Sequence, residues 1–322
     1  MALLYQGESF CINSRKIDIK KMGIIEMREI KMNKNYIVKE KPVISFEIFP
    51  PKGTGNLKNI YETVDALASL SPDFISVTYG AGGSSRENTV EIAAAIETKY
   101  SVPALAHLTC IGSNKQEMKA ILDELKGKGV QNILAMRGDI VGDAQVGDFK
   151  HANELIEYIK ANYDFNIFGA CYPEKHIEAY SMVEDLKYLK QKVDCGVDAL
   201  ITQLFFDNNA YYGFREKARA MGINVPIIAG IMPITAASQL ERMVSMCGAS
   251  IPQEVQQFVK AYGHNSMAMK EAGISYATTQ IIDLLANGVD GIHIYTMNKP
   301  DVAKRIVENL RGILYALRIK RA

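Results

Sequence analysis

Cysteine is scarce in this chain, with five residues among 322 and no CxxC pair. An odd, scattered set of thiols favours reduced cysteines in a cytoplasmic protein over a disulfide framework. His107 and Cys110 lie close in sequence, but on a strand this spacing points the two side chains to opposite faces. We therefore predict no metal site at this pair.

Long apolar runs and an excess of one charge are also missing. No run approaches the roughly 18 apolar residues that a membrane helix needs. The 37 basic and 36 acidic residues leave a formal net charge of +1, so no global field favours nucleic acid or an anionic membrane. Residues 1–40 lack the apolar core and cleavage site of a secretory signal. We expect them to be either a poorly ordered N-terminal arm or the product of an upstream start codon, ahead of one domain over residues 41–322.

The chain alternates short apolar runs with longer amphipathic stretches. The runs cover residues 44–49, 74–79, 103–109, 132–139, 166–173, 199–207, 226–234 and 291–298. Between two of them, Met118, Ile121, Leu122 and Leu125 recur at helical spacing on one face. Repeated strand–helix units predict parallel strands with helical crossovers. Eight such units predict a closed (β/α)8 barrel of the α/β class, a TIM barrel.

A doubly wound open sheet is the alternative fold. It would need a GxGxxG turn after the first strand. The first run is followed by PPKGTGNLK and the second by GAGGSS, and neither has that spacing. The stretch between the seventh and eighth runs is long, and both 251–262 and 266–287 have helical patterns. We therefore expect an extra helix in the last crossover.

The first run places a carboxylate in the barrel interior. Side chains alternate along a strand, so Phe46 and Ile48 share the face that packs on helices, and Ser45 and Glu47 share the other. A buried carboxylate is costly unless it takes up a proton, and a protonated Glu is what general acid catalysis requires. A structural pair between Glu47 and a buried cation is the open alternative.

Five further runs end in, or contain, polar groups. Barrel enzymes gather their chemistry at these strand ends. Each group has a structural reading as well: a common strand Thr, a satisfied core His, or an ion pair between Arg137 and Asp139. Together they favour a large polar ligand in a partly apolar cavity. The residues are Thr78, His107, Arg137, Asp139, Tyr172 with Glu174 and His176 beyond it, and Gln203.

The ordered motifs resemble those of methylenetetrahydrofolate reductases, in the bacterial form that consists of the catalytic domain alone. They are ISFEIFPPKG, SVTYGAGGSSRENT, HLTC, MRGD, YPEKHIEA, LKQKVDCGVDALITQLFFDN, IIAGIMPI and YTMNKP. The resemblance runs from about residue 44 to the C-terminus. It implies a chain without the C-terminal regulatory domain of longer relatives.

The resemblance implies a (β/α)8 barrel that holds non-covalent FAD. By ping-pong hydride transfer, the FAD would take hydride from NADH or NADPH and reduce 5,10-methylenetetrahydrofolate to 5-methyltetrahydrofolate. Glu47 matches the general acid, and Asp139 matches a carboxylate beside the flavin ring. Residues that match flavin contacts are Thr78, His107, Arg137, Gly138, Asp139, His151, Ala152, Tyr172, His176, Ala179, Asp185 and Lys192. Residues that match folate contacts are Glu47, Gln203, Gln239 and Lys299.

The sequence departs from the family pattern at three positions. His151 stands in place of a usual Tyr, Gln191 stands where an Arg often sits near the cofactor phosphates, and Met243 replaces an aromatic residue. Phosphate binding is therefore expected to depend more on Lys192, and stacking at Met243 is in doubt.

The resemblance also implies partners and a role. These are a folate substrate, a nicotinamide nucleotide, a homo-oligomer and a place in one-carbon metabolism and methionine biosynthesis. A protein partner that feeds the flavin is an alternative electron donor. A barrel lyase or aldolase would need a lysine within a strand, and none of the eight runs contains one. A non-catalytic barrel subunit is disfavoured by Glu47 and Asp139.

Overall fold

The computed structural model describes residues 42–51, 57–79, 86–139 and 147–319. The predicted N-terminal arm, residues 1–40, lies outside these residues, and so does the predicted domain start at residue 41. Eight strands pair in sequence order, and the eighth pairs with the first. All pairs are parallel. The predicted (β/α)8 barrel is confirmed, and the open doubly wound sheet is excluded.

Each predicted apolar run coincides with one strand, and β1 begins one residue before its run. The strands are β1 Val43–Ile48, β2 Phe74–Val77, β3 Ala104–Thr109, β4 Asn132–Met136, β5 Asn166–Cys171, β6 Ala199–Thr202, β7 Ile227–Ile231 and β8 Gly291–Tyr295. Several predicted runs continue beyond the C-terminal end of the strand that forms there. In the fourth, Gly138 has φ +87, which ends the extended conformation. In the sixth, Phe205 and Phe206 are buried beyond the strand. The apolar residues after β6 are therefore buried without being part of the sheet.

Helices connect and surround the strands. In the described residues they are α1 Leu57–Ala68, α2 Arg86–Tyr100, α3 Lys115–Gly127, α4 Ala152–Asn162, α5 Met182–Asp194, α6 Asn208–Ala220, α7 Ala237–Cys247, α8 Gln253–Tyr262, α9 Ser266–Ala286 and α10 Pro300–Ile319. No helix among these residues combines the length and apolarity needed to cross a membrane.

The last crossover contains three helices, α7, α8 and α9. The extra helix expected there is confirmed, and both predicted helical segments are present. Helix α7 was not predicted, although Leu240, Met243, Val244 and Cys247 recur in it at helical spacing. These side chains belong to a separate apolar cluster beyond the ends of β6 and β7. The cluster explains why the crossover is long, because it packs the three helices over that side of the barrel.

Alternation along β1 divides its side chains as predicted. Phe46 and Ile48 belong to the large core between sheet and helices. Val43 belongs to a second cluster that fills the barrel interior with one or two residues from each of seven strands: Val43, Phe74, Leu105, Leu134, Phe168, Ala199, Ile201 and Ile228. Ser45 and Glu47 follow Val43 on the same inward face. The interior is therefore apolar near the strand starts and polar near the strand ends.

Carboxylates tie the strands together at the N-terminal face of the barrel. A buried backbone N–H near the start of a strand needs an acceptor, and a side chain can supply it. Three loop aspartates do this, each with an oxygen 2.8 Å from the backbone nitrogen: Asp73 with Ile44, Asp198 with Ile167, and Asp290 with Ile227. In this fold that face serves stability, and the opposite face carries the chemistry.

Candidate active site at the C-terminal end of the barrel

Glu47 lies between two imidazoles inside the barrel. Its Oε2 is 3.6 Å from Nε2 of His107 and 3.8 Å from Nε2 of His293. Burial, partly opposed by the neighbouring Glu47, lowers the pKa of His107 to about 4, so this imidazole is neutral at neutral pH. Among the described residues, no Lys or Arg nitrogen comes within 4.0 Å of Glu47. The open alternative of a structural pair with Lys or Arg therefore finds no support in the described contacts.

His293 is a site residue that the sequence reasoning missed. It is fully buried in β8, and its ring stacks on Phe74 with centroids 5.6 Å apart. Its Nδ1 lies 2.8 Å from Oγ of Ser45, and its Nε2 lies 3.2 Å from Oγ of Ser76. The Ser45 hydroxyl has a single hydrogen, and when it donates to the carbonyl of Ile292 at 3.2 Å, Nδ1 of His293 donates to Ser45. The available signal was a polar residue in mid-strand on the inward face.

Tyr295 and Thr296 complete this polar interior. The Tyr295 hydroxyl donates to the carbonyl of Thr202 at 2.6 Å, and burial raises the pKa of Tyr295 well above its usual range. A Cβ on Gly230 would lie 2.6 Å from that hydroxyl oxygen, so only glycine admits the tyrosine there. The Thr296 hydroxyl donates to the carbonyl of Glu47 at 2.6 Å. The backbone that carries Glu47 is thereby fixed to the end of β8.

Most of the residues that match flavin contacts line one cavity of about 1220 Å³. A cavity of this size exceeds what a drug-sized ligand needs and suits a dinucleotide cofactor. Thr78 follows β2 directly, His107 contacts Glu47, and neither is among the residues that line this cavity. The flavin-matching residues that line it are Arg137, Gly138, Asp139, His151, Ala152, Tyr172, His176, Ala179, Asp185 and Lys192.

Arg137 reaches across one edge of this cavity. Its Nη1 and Nη2 donate to the two carboxylate oxygens of Glu178 at 2.6 and 2.7 Å. The pair joins the end of β4 to the loop before α5. The sequence left open an ion pair between Arg137 and Asp139, and the structure pairs Arg137 with Glu178 instead. Asp139 stays on the cavity wall, held there by the turn at Gly138.

The α5 side of the cavity holds a cation, a carboxylate and an amide side chain. Lys192 donates from Nζ to the carbonyl of Ala170 at 2.5 Å, and burial lowers its pKa. Asp185 accepts the backbone N–H of His176 at 3.1 Å, and burial raises the pKa of Asp185. Gln191 also lines the cavity. Lys192 suits a phosphate-bearing cofactor, because its half-buried ammonium has no carboxylate bound among the described residues and is available to an anion.

Besides Glu47, the residues that match folate contacts occupy two places. Gln203 lines the cavity, and its Oε1 accepts the backbone N–H of Leu204 at 2.8 Å. Gln239 and Lys299 come together at the loops after β7 and β8, where both bond to Thr235. Glu174 lies in the loop after β5 and accepts the N–H of Ser250 at 2.9 Å. These bonds hold several of the loops at the C-terminal end of the barrel in place.

Comparison with known sequences identifies relatives of one family. A sequence model of the family described as methylenetetrahydrofolate reductase matches residues 31–311. The Escherichia coli protein named 5,10-methylenetetrahydrofolate reductase is 34% identical over 267 residues, which cover 83% of this chain and 90% of that protein. The Arabidopsis thaliana protein named methylenetetrahydrofolate reductase (NADH) 1 is 36% identical over 312 residues, 92% of this chain and 52% of that protein. The chain thus spans about half the length of the plant relatives.

The structure of a known protein has the same fold. That protein is described as an uncharacterised protein from Clostridium thermocellum that binds two copies of 5-methyl-5,6,7,8-tetrahydrofolic acid. It aligns with a TM-score of 0.61 and 17% identity over 86% of this chain and 96% of that chain. At this identity the likeness concerns the barrel architecture.

Proposed function

Because this chain belongs to the methylenetetrahydrofolate reductase family, we propose that it reduces 5,10-methylenetetrahydrofolate to 5-methyltetrahydrofolate with FAD as its cofactor. One observation carries this proposal. A large cavity lined by the residues that match flavin contacts opens at the same end of the barrel as the buried Glu47. A redox cofactor and a proton donor are the two things that this reduction needs.

The cavity residues supply binding and orientation. FAD, when bound, would take up hydride from a reduced nicotinamide nucleotide and pass it to the one-carbon unit of folate. Lys192 on α5 would pair with a cofactor phosphate, and His176, on the loop before α5, lines the same cavity. Asp139 would place a negative charge next to the flavin ring and so disfavour accumulation of negative charge there. Tyr172, whose ring meets that of His176 edge-on at 4.6 Å, would cover the cofactor.

Glu47 would supply the proton. Opening the five-membered ring of methylenetetrahydrofolate to an iminium needs a proton on nitrogen, and no other carboxyl group of the described residues lies within 4.0 Å of His107 or His293. His107 is neutral at neutral pH, so its Nε2, 3.6 Å from Oε2 of Glu47, does not pair with that carboxyl as a cation. Ser45 and Ser76 hold His293 in a fixed orientation on the other side.

The electron donor in this proposal is NADH or NADPH. The plant relatives named with NADH support a nicotinamide donor. A protein that feeds the flavin, a homo-oligomer and a cytoplasmic location stay predictions from the resemblance.

The purified protein tests the proposal directly. We expect a yellow protein whose denaturation releases FAD, reduced anaerobically by NADH or NADPH and reoxidised by methylenetetrahydrofolate. A colourless protein would favour the lyase or the non-catalytic subunit. A flavoprotein that folate reoxidises but that neither nucleotide reduces would point to a protein donor.

A further inference from the structure

Thr235 joins two side chains at the loops after β7 and β8. It is buried, and its hydroxyl oxygen accepts a hydrogen bond from Nζ of Lys299 at 2.7 Å. The same hydroxyl donates to Oε1 of Gln239 at 3.0 Å, and the backbone N–H of Thr235 points to that oxygen at 3.3 Å. One hydroxyl thus serves as acceptor for one side chain and donor for the other.

These bonds fix which way the Gln239 amide faces. A backbone N–H can only donate, so the atom that it meets is the amide oxygen. The amide nitrogen, Nε2, therefore points elsewhere. It is buried and has no hydrogen-bond partner among the described residues. Buried donors are normally paired, and a polar atom of a bound ligand would satisfy this one.

Lys299 is held from its other side by the neighbouring loop residues. Asn298 pairs with the backbone of Phe49 at two points, accepting its N–H at 2.9 Å and donating to its carbonyl at 2.8 Å. Met297 and Asn298 have φ of 52° and 55°, a left-handed conformation that is costly for Met. Strain of this kind persists where surrounding contacts over-determine it, commonly at functional sites. The loop that carries Lys299 is therefore fixed to β1, the strand of Glu47.

We infer that Thr235 is a positioning residue for the folate substrate. Its hydroxyl holds Lys299 and Gln239 so that Nε2 of Gln239 and the remaining N–H groups of Lys299 face the acceptor atoms of folate. The inference rests on the proposed function, and it adds a residue to which the sequence pattern assigned no role. Thr235 does not touch the cofactor cavity wall, so flavin binding does not depend on it.

Removal of the hydroxyl at constant shape tests this role. We expect Thr235→Val to raise KM for methylenetetrahydrofolate by about tenfold or more, the usual effect of losing a hydrogen bond to a charged group, with kcat within about twofold. Flavin content and flavin reduction by the nicotinamide nucleotide should stay within about threefold of wild type. Thr235→Ser should restore KM, because serine keeps the hydroxyl.

Thr278→Val is the matched control, because Thr278 is also buried but its hydroxyl donates to the carbonyl of Ile274 within α9. This variant should keep the wild-type KM. If Thr235→Val does not fold, Thr235→Ala removes the same hydroxyl with less crowding.

Three results would overturn the inference. They are an unchanged KM in the Val and Ala variants, an equal defect in the Ser and Val variants, and an equal slowing of flavin reduction and folate reduction. A wild-type protein that does not reduce methylenetetrahydrofolate would refute the proposed function itself. That failure shows in the wild type before any variant is made.

Discussion

Glu47 and the two histidines beside it belong to three different strands, β1, β3 and β8. Each residue occupies an inward position of its strand, and barrel closure brings Nε2 of each histidine within 4.0 Å of Oε2 of Glu47. A carboxyl group between neutral or polar neighbours can exchange a proton during a reaction. One clamped by Lys or Arg is held as an anion. The predictions at this scale separate proton supply from hydride supply.

Glu47→Gln should affect one half-reaction only. Hydride transfer from nicotinamide to flavin needs no protein acid, so that rate should stay within a few-fold of wild type. The folate half-reaction should slow by about 10²–10⁴, as is typical when a general acid is lost. Stopped-flow absorbance of the flavin measures both halves separately. Glu62→Gln, on the exposed face of α1, is the control. Equal slowing of both halves would exclude Glu47 as the acid.

Asp139→Asn should make the flavin easier to reduce, because it removes a negative charge from the cavity wall. FAD should still bind. Reduction of folate should slow more than reduction of the flavin by the nicotinamide nucleotide, since a flavin that is easier to reduce is a weaker hydride donor. The flavin midpoint potential checks this, with Asp123→Asn on exposed α3 as the control. A potential equal to that of wild type would place Asp139 away from the ring.

At the scale of elements, α9 packs unusually closely on the loop after β7. A Cβ on Gly273, in the middle of α9, would lie 1.8 Å from the carbonyl oxygen of Ile234 and 2.6 Å from its carbonyl carbon. The contact is with backbone, so no side chain can turn aside. Glycine is therefore required in this helix interior despite its low helix propensity. The approach also fixes the backbone just before Thr235.

Gly273→Ala and Gly312→Ala should change stability in opposite directions. Alanine at 273 must push α9 off the loop, and overpacking of this kind costs about 1–3 kcal/mol or more. Alanine at 312, in α10, meets nothing within 4 Å and should gain up to about 1 kcal/mol from helix propensity. Urea unfolding of both variants measures the difference. A Gly273→Ala protein at least as stable as wild type would show that the close approach is not a constraint.

At the scale of the whole molecule, the two ends of the barrel have different tasks. The N-terminal end is closed by carboxylates that accept strand N–H groups, and the C-terminal end carries the cavity, Glu47 and Thr235. Glu97 belongs to the first group, since its Oε1 accepts the N–H of Ala104 at 3.0 Å. Burial raises the pKa of Glu97 from 4.5 to about 6, although the hydrogen bond opposes this. The charged form of Glu97 is therefore disfavoured in the folded barrel.

Glu97→Gln should stabilise the barrel only above the pH at which Glu97 ionises. Below pH 4.5 Glu97 is protonated in both the folded and the unfolded protein, so it does not lower the free energy of unfolding. Above about pH 6 it is ionised in both states, and the burial of its charge then lowers the free energy of unfolding in full. Glutamine keeps an oxygen for Ala104 without the charge, so we expect a gain of roughly 1–2 kcal/mol at pH 7.5 and almost none at pH 4.5. Thermal unfolding of both proteins across this range measures it. The contribution of His107 to the pH dependence of stability is the same in both proteins, so it cancels in their difference. A gain independent of pH would refute the assignment.

Much of the fold follows from patterns that are local in the sequence. Eight apolar runs separated by amphipathic stretches predict the barrel, because parallel strands need helical crossovers. Strict alternation in β1 predicts that Glu47 faces inward. The family resemblance also predicted ten of the residues that line the cavity as flavin contacts. The apolar pattern did not give the residues at which the strands end, because the apolar run of β6 continues into Phe205 and Phe206, which are buried beyond the strand.

The contacts that organise the site join residues far apart in the chain. Ser45 and His293 are 248 residues apart, Arg137 and Glu178 are 41 apart, and Thr235 and Lys299 are 64 apart. The sequence alone determined that this chain forms an α/β barrel with polar groups at its strand ends. Only the tertiary structure decided which of those groups touch, because partners at such separations are set by barrel closure and by loop packing, and local periodicity carries no information about either.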